Sequence, residues 1–158
     1  MGANDKHSEE IEAYEENIIE NLTVNDALML IAVCAAKEET AADNNQIDDT
    51  KRITALAHDH PIFIDLLDSI EPSVNKFMNM IQDTDMVKYV MAAAKALKPE
   101  YNETAFTWAA MILMSDGNLT ETRKIILDKY ALLLNIDHDD AQNILVKISD
   151  QESVWQPS

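Results

Sequence analysis

One stretch of the chain decides the fold, and it is Asp116-Gly117-Asn118-Leu119-Thr120-Glu121-Thr122-Arg123-Lys124-Ile125. An earlier stretch repeats its pattern as Asn44-Asn45-Gln46-Ile47-Asp48-Asp49-Thr50-Lys51-Arg52-Ile53. Each has a turn-forming pair, an apolar residue, acids where a helix would begin, a basic pair and an isoleucine. Apolar segments precede the two stretches, at residues 27–36 and 105–114. The sequence therefore predicts a helix, acidic turn and helix unit that occurs twice.

The turn of the second copy has a physical explanation in its residue types. Gly117 can adopt the positive φ that ends a helix, and Asp116 is short enough to fold back onto backbone amides. We expect Leu119 to insert into the core, and Thr120 or Glu121 to cap the next helix. This structural role alone would account for every residue of the turn, so it is the alternative to any binding role.

Composition favours an all-α fold for the whole chain. The 158 residues include only 2 Gly and 4 Pro, and apolar residues recur at helical spacing instead of alternating as in a strand. This predicts a single compact bundle of about seven to nine helices with an internal duplication of the helix-turn-helix unit. We expect one domain over residues 8–149, a frayed lead at 1–7 and a tail at 150–158.

Local signals place the individual helices. Ser8 is the predicted cap of an acidic N-terminal helix that reaches about Glu20, and Thr23 is the predicted cap of the next helix. Pro72 is expected in the first turn of a later helix, where proline is tolerated. One face of the N-terminal helix is predicted to hold Ile11, Tyr14, Ile18 and Ile19. The helix that ends before Pro99 is predicted to face the core with Val87, Val90, Met91, Ala94 and Leu97.

The chain is strongly acidic. Its 29 Asp and Glu against 12 Lys and Arg give a net charge of −17. Such a charge repels duplex DNA and anionic headgroups and attracts cations or basic protein surfaces. A solvated acidic surface without a ligand is the plainer alternative. Because the aromatic residues are scattered, no stacking platform for nucleic acid is indicated. The predicted partner is therefore a cation or a protein with a basic or apolar surface, and not nucleic acid.

The cysteine and the methionines give information about the hydrophobic core, and the apolar stretches give information about the cellular compartment. Cys34 lies in an apolar segment and is predicted to be a buried thiol. The start of the chain is polar, and no apolar stretch has the roughly 18 residues that a membrane span needs, so we expect a cytoplasmic protein. Methionines could form a flexible binding groove or fill gaps in the core; the candidates are Met78, Met80, Met111 and Met114.

Carboxylates at the two turns suggest a cation site. Asp43, Asp48 and Asp49 flank the first turn, and Asp116 and Glu121 flank the second. If the two copies pack face to face, these side chains could converge, and Ca²⁺ prefers several oxygen ligands from a flexible site. The sequence therefore offers these five residues as candidate ligands of a divalent cation such as calcium.

An EF-hand is excluded as the form of such a site. Starting the calcium loop at Asp43 puts Asp48 at the sixth position, where glycine is required, and Thr54 at the twelfth, where glutamate is required.

The second copy resembles a known family. The stretch at residues 109–121, Ala-Ala-Met-Ile-Leu-Met-Ser-Asp-Gly-Asn-Leu-Thr-Glu, with the later turn at residues 132–136, is similar to the tellurite-resistance TerB-like family. The resemblance covers residues from about 23 to 148 and implies an all-helical fold with an internal duplication. It also implies a non-enzymatic stress-response protein in membrane-associated or metal-linked complexes.

The resemblance also implies functional residues. Acidic residues at the two turns are linked with divalent cations in the family, which carries over to Asp116 and Glu121 and to Asp48 and Asp49. The chain departs from the family at Arg123, where a glutamate is common, and in the first copy Asn44-Asn45 replaces the Asp-Gly pair.

No enzyme motif stands out. There is no glycine-rich phosphate loop and no nucleophile in motif context. The two imidazoles of His58-Asp59-His60 would point in different directions from a helix end, so a zinc pair is not predicted. The sequence therefore predicts a non-enzymatic protein that binds cations or a partner through its acidic turns. A ligand-free acidic scaffold that docks a basic or apolar partner helix is the alternative, and an unrecognised metal-dependent enzyme is a third.

Overall fold

The fold was obtained as a computed structural model that describes residues 17–43, 49–61, 63, 67–81, 86–115 and 117–155. No strand occurs among these residues, which confirms the all-α fold class. A helical turn at residues 17–20 precedes seven α-helices, so the described helices fall within the predicted range. The α-helices are α1 (Val24–Asp43), α2 (Asp49–Asp59), α3 (Leu67–Met80), α4 (Val87–Ala96), α5 (Asn102–Leu113), α6 (Glu121–Leu133) and α7 (His138–Trp155), with a 3-10 turn at Pro99–Tyr101.

Helix α1 runs through the centre of the bundle. Its residues 27–36 are all buried, on every side of the helix, as expected of a helix that is apolar all round. Helices α2 to α6 pack against it, and α7 packs on α5 and α6. The predicted burial of Cys34 is confirmed. After Ala36 the helix continues as Lys37-Glu38-Glu39-Thr40, which carries charged side chains into the bundle.

Two helix starts have the predicted caps. The hydroxyl of Thr23 accepts a hydrogen bond from the backbone N–H of Asp26 at 3.1 Å. The hydroxyl of Thr120 accepts one from the N–H of Arg123 at 3.2 Å. Both bonds satisfy a donor that the first turn of a helix leaves without an intrahelical partner.

Two turns depend on a positive φ. Gly117 has φ 85°, as predicted, and its N–H donates to the carbonyl of Met114 at 2.9 Å. Asn135 directly follows the C-cap residue of α6 and has φ 57°. The N–H of Ile136 then reaches back to the carbonyl of Ala131 at 2.8 Å, the bond that closes a Schellman-type helix end.

The predicted helix start at Pro72 is wrong. Helix α3 already begins at Leu67 and runs through Pro72 without a break. A proline at this position leaves the carbonyl four residues earlier, that of Asp68, without a helical N–H. Both residues are exposed, so water can solvate that carbonyl and the interruption is tolerated.

The predicted core face of α4 is rotated from the observed one. Met91 is 56% exposed, while the buried residues of this segment are Met86, Tyr89, Val90, Ala93 and Leu97. On a helical projection this face lies opposite Lys88 and Lys95. Burying it leaves both lysines in water, whereas the predicted face would have brought them to the edge of the core.

Burial of the other apolar residues agrees only in part with the predictions. Leu119 is 40% exposed, so its predicted insertion into the core is wrong. Ile53 is buried, but its aligned counterpart Ile125 is 67% exposed. The two copies therefore agree in where their second helices begin, but these helices bury different faces. The four methionines lie in or against the core, which confirms gap filling.

The last helix is longer than predicted. Helix α7 continues to Trp155, beyond the tail boundary expected at residue 150. None of the described helices combines the length and apolar character that a bilayer crossing requires.

Candidate functional site

Only part of the predicted cation site lies in the described structure. Asp48 and Asp116 lie outside the described residues, and of Asp43 only the backbone position is described, at the end of α1. Asp49 and Glu121 are described, and they open α2 and α6 at equivalent places in the repeat. Their surroundings differ, because Asp49 is buried and Glu121 is exposed.

The first turns of α2 and α6 meet at one carboxylate of α1. Glu39 is 2% exposed. Its Oε1 accepts from Nη1 of Arg52 at 2.6 Å, and its Oε2 accepts from Nε of Arg123 at 2.5 Å. Such charge-assisted bonds are stronger than neutral ones. The two copies of the helix-turn-helix unit therefore converge, and a carboxylate between two guanidinium groups is what they share.

The network extends to the predicted ligand Asp49. Nη2 of Arg52 donates to Oδ1 of Asp49 at 3.1 Å. The hydroxyl of Thr40, one residue after Glu39, lies 3.1 and 2.9 Å from the two carboxylate oxygens of Asp49. The Asp49 carboxylate thus holds the start of α2 against the C-terminal part of α1.

Arg123 ties the second turn into the same network. Its Nη1 donates to the backbone carbonyl of Asn118 at 2.6 Å, and its own N–H is the donor of the Thr120 cap. A cation in the first turn of a helix is unfavourable with respect to the helix dipole. The buried carboxylate of Glu39 offsets that cost and explains why an arginine is stable there.

Among the described residues, the carboxylates at this meeting point are already bound to bases. Glu39 contacts Arg52 and Arg123, and Asp49 contacts Arg52. A divalent cation at this point would have to displace a guanidinium group from a buried carboxylate. Within the described residues, no group of three or more His, Cys, Asp or Glu side chains is placed to hold a metal ion.

A second charged cluster lies on the neighbouring side of α1. Lys129 of α6 forms an ion pair with Glu38. Burial raises the pKa of Tyr130 well above its usual value, and the nearby Cys34 and Glu38 raise it further. Burial also raises the pKa of the Cys34 thiol, and Glu38 adds to the effect. The thiol is therefore protonated and shielded from reagents, which does not suit a nucleophile.

An open acidic groove is present away from both clusters. It has a volume of about 510 Å³ and lies between the 3-10 turn with the start of α5 and the turn that precedes α7. Four acidic residues line it, and the described lining includes no base. The acids are Glu100, Glu103, Asp137 and Asp140. All four are exposed, so their charges act on the surrounding solvent and on approaching partners.

The comparisons with known proteins leave the family open. No family model matches the chain, and no curated protein or solved structure matches it. The TerB-like resemblance accordingly stays a prediction.

Sequence reasoning missed Glu39 and the role of Arg123. Glu39 stands in a polar run after an apolar helix, where a solvated acid is the ordinary expectation. One signal was available, since Arg123 is a base in the first turn of a helix that otherwise opens with an acid. A nearby carboxylate offsets the unfavourable interaction of such a base with the helix dipole.

Proposed function

We propose that this chain is a non-enzymatic, TerB-like stress-response module that binds a basic protein partner through its acidic surface. The observation that supports this most is the groove lined by Glu100, Glu103, Asp137 and Asp140. Tellurite resistance is the biological setting that the family resemblance implies. The acidic groove would attract a lysine- or arginine-rich surface and increase the rate of association.

A basic partner fits the described residues better than a metal ion does. The described carboxylates at the meeting point of the two turns, Glu39 and Asp49, already bind guanidinium groups. The groove acids have no such internal partner among its lining residues. A lysine or arginine from a partner would supply in the groove the type of contact that Arg52 and Arg123 supply inside the molecule.

The test compares two pairs of charge-neutralising substitutions that change net charge equally. The groove pair is Glu103→Gln with Asp140→Asn, and the control pair is Glu71→Gln with Asp128→Asn, which are exposed residues outside the groove. Binding of an oligolysine peptide is measured by calorimetry at low and high salt. We expect the groove pair to weaken binding about fivefold and the control pair by less than about twofold.

Two results would refute a specific groove. Equal weakening by both pairs would mean that oligolysine responds only to net charge. Binding that does not weaken with added salt would contradict an electrostatic interface. It would favour instead an apolar partner on the exposed Ile125 and Leu132 of α6.

Calcium titration followed by NMR separates the cation hypothesis from this proposal. Saturable shifts centred on Glu121 that disappear in an Asp116→Ala variant would favour a cation site at the second turn. Shifts spread over all acidic residues would indicate counterions only. An assay of turnover against a broad substrate panel addresses the hypothesis of a metal-dependent enzyme.

A further inference from the structure

Helix α4 presents a basic face on an acidic protein. It is the only described α-helix that carries lysine and contains neither Asp nor Glu. Lys88, Met91 and Lys95 are exposed, and their spacing places them on one face of the helix. Met91 is apolar and yet 56% exposed, and it lies between two lysines. Such a surface is suited to an amphipathic segment with acidic side chains.

A groove runs beside this face and already contains part of the N-terminal region. It has a volume of about 300 Å³ and is lined by Ile19, Glu20 and Leu22 together with Ala92, Lys95 and Ala96. Ile18, Ile19 and Leu22 pack against the core. The described chain therefore begins two residues before Ile19, which lines this groove together with Lys95.

The segment that precedes Asn17 has the complementary chemistry. Residues 8–16 include five Glu and no base, with Ile11 and Tyr14 between them. Helical spacing continued backwards from the packed Ile18 would place Tyr14 and Ile11 on the same side. Nine residues of helix span about 13 Å, which is close to the length of α4 itself.

We propose that the Lys88, Met91 and Lys95 face of α4 is the docking surface for residues 8–16 of the same chain. The glutamates meet the lysines, and Ile11 and Tyr14 cover Met91 and extend the contacts that Ile19 and Leu22 make in the groove. An acidic segment of the chain then covers this basic face of α4.

The first experiment measures hydrogen exchange of the amides of residues 8–16 in the full chain. Lys95→Glu is compared with Lys147→Glu, which makes the same charge change at an exposed lysine of α7. Docking predicts slowed exchange in the unmodified protein, an acceleration of about fivefold in Lys95→Glu, and a change within about twofold in Lys147→Glu. Exchange in the unmodified protein at the rate of an unstructured peptide would overturn the proposal, as would equal effects of the two variants.

The second experiment identifies the occupant. A nitroxide is attached through a Ser8→Cys substitution; the native Cys34 is fully buried and does not compete. If the segment docks, the nitroxide broadens the amide signals of α4 in a chain that carries both the label and the isotope. In the Lys95→Glu variant, these amide signals regain their intensity. Broadening only in a mixture of labelled and isotope-enriched chains would mean that a second copy binds there. That result, or no broadening in α4, would overturn the proposal.

Discussion

Replacing Glu39 with glutamine removes the charge at the point where the two helix-turn-helix units meet. The change keeps the shape of the side chain but leaves Arg123 with an amide and the carbonyl of Asn118 as neutral partners. Arg52 keeps its bond to the carboxylate of Asp49. Glu39 is 2% exposed, and the two arginine side chains are 12% and 9% exposed. Stranding a nearly buried charge costs about 3–5 kcal/mol, so we expect Glu39→Gln to lose about 4 kcal/mol of unfolding free energy.

Urea denaturation followed by circular dichroism measures this loss. For a protein with a slope of about 2 kcal/mol per molar urea, the midpoint would fall by about 2 M. The matched control is Glu38→Gln, the same change one residue earlier. Its partner Lys129 is 39% exposed, so the ion pair is partly screened and we expect a loss of about 1 kcal/mol or less.

A similar loss in both variants would refute the reasoning, because it would mean that burial of the network adds nothing to its energy. A double-mutant cycle of Glu39→Gln and Arg123→Met adds a second check. Since the two side chains bond directly at 2.5 Å, their effects should depart from additivity by at least about 1 kcal/mol.

Three further predictions concern single sites. Burial lowers the pKa of His60, so stability should fall as pH drops from about 6.5, because the unfolded chain takes up the proton first. The urea midpoint of unfolding should fall with decreasing pH in the unmodified protein and in a His138→Gln control. It should fall less in His60→Gln. Cys34, fully buried and with a raised pKa, should react with a thiol reagent only after unfolding in guanidinium; prompt reaction of the native protein would contradict its burial. Thermal unfolding should show a loss of about 1 kcal/mol for Gly117→Ala and a gain of a few tenths for Asn135→Gly, since both positions have positive φ; opposite signs would be inconsistent with these backbone angles.

Local chemistry predicted two helix caps and one turn correctly. A threonine at a helix start or a glycine at a helix end acts through bonds to its own near neighbours, so Thr23, Thr120 and Gly117 could be interpreted from a few residues. The buried face of α4 and the continuous α3 depend on neighbouring helices and on where water reaches. Periodicity alone favoured the wrong face of α4, and the positions of Lys88 and Lys95 would have favoured the observed one.

The predicted convergence of the acidic turns stays a prediction, because Asp48 and Asp116 lie outside the described residues. The structure does show that the first turns of α2 and α6 both contact Glu39 of α1. The bond that joins them pairs Glu39 with Arg123, which lies 84 positions away, and a short sequence window does not contain both. Counting acids near the turns selected Asp49 as a free ligand, whereas its carboxylate is part of an ion pair with Arg52.

The central position of α1 has a consequence for synthesis of the protein. This helix is made before the helices that pack around it, and α5 is complete only about 70 residues after its end. At a translation rate of about 5–20 residues per second, the nascent chain would carry an incompletely covered apolar helix for roughly 4–14 s. Ribosome-bound chains of this length should therefore bind chaperones that recognise exposed apolar segments, and release should follow once α5 and α6 have emerged.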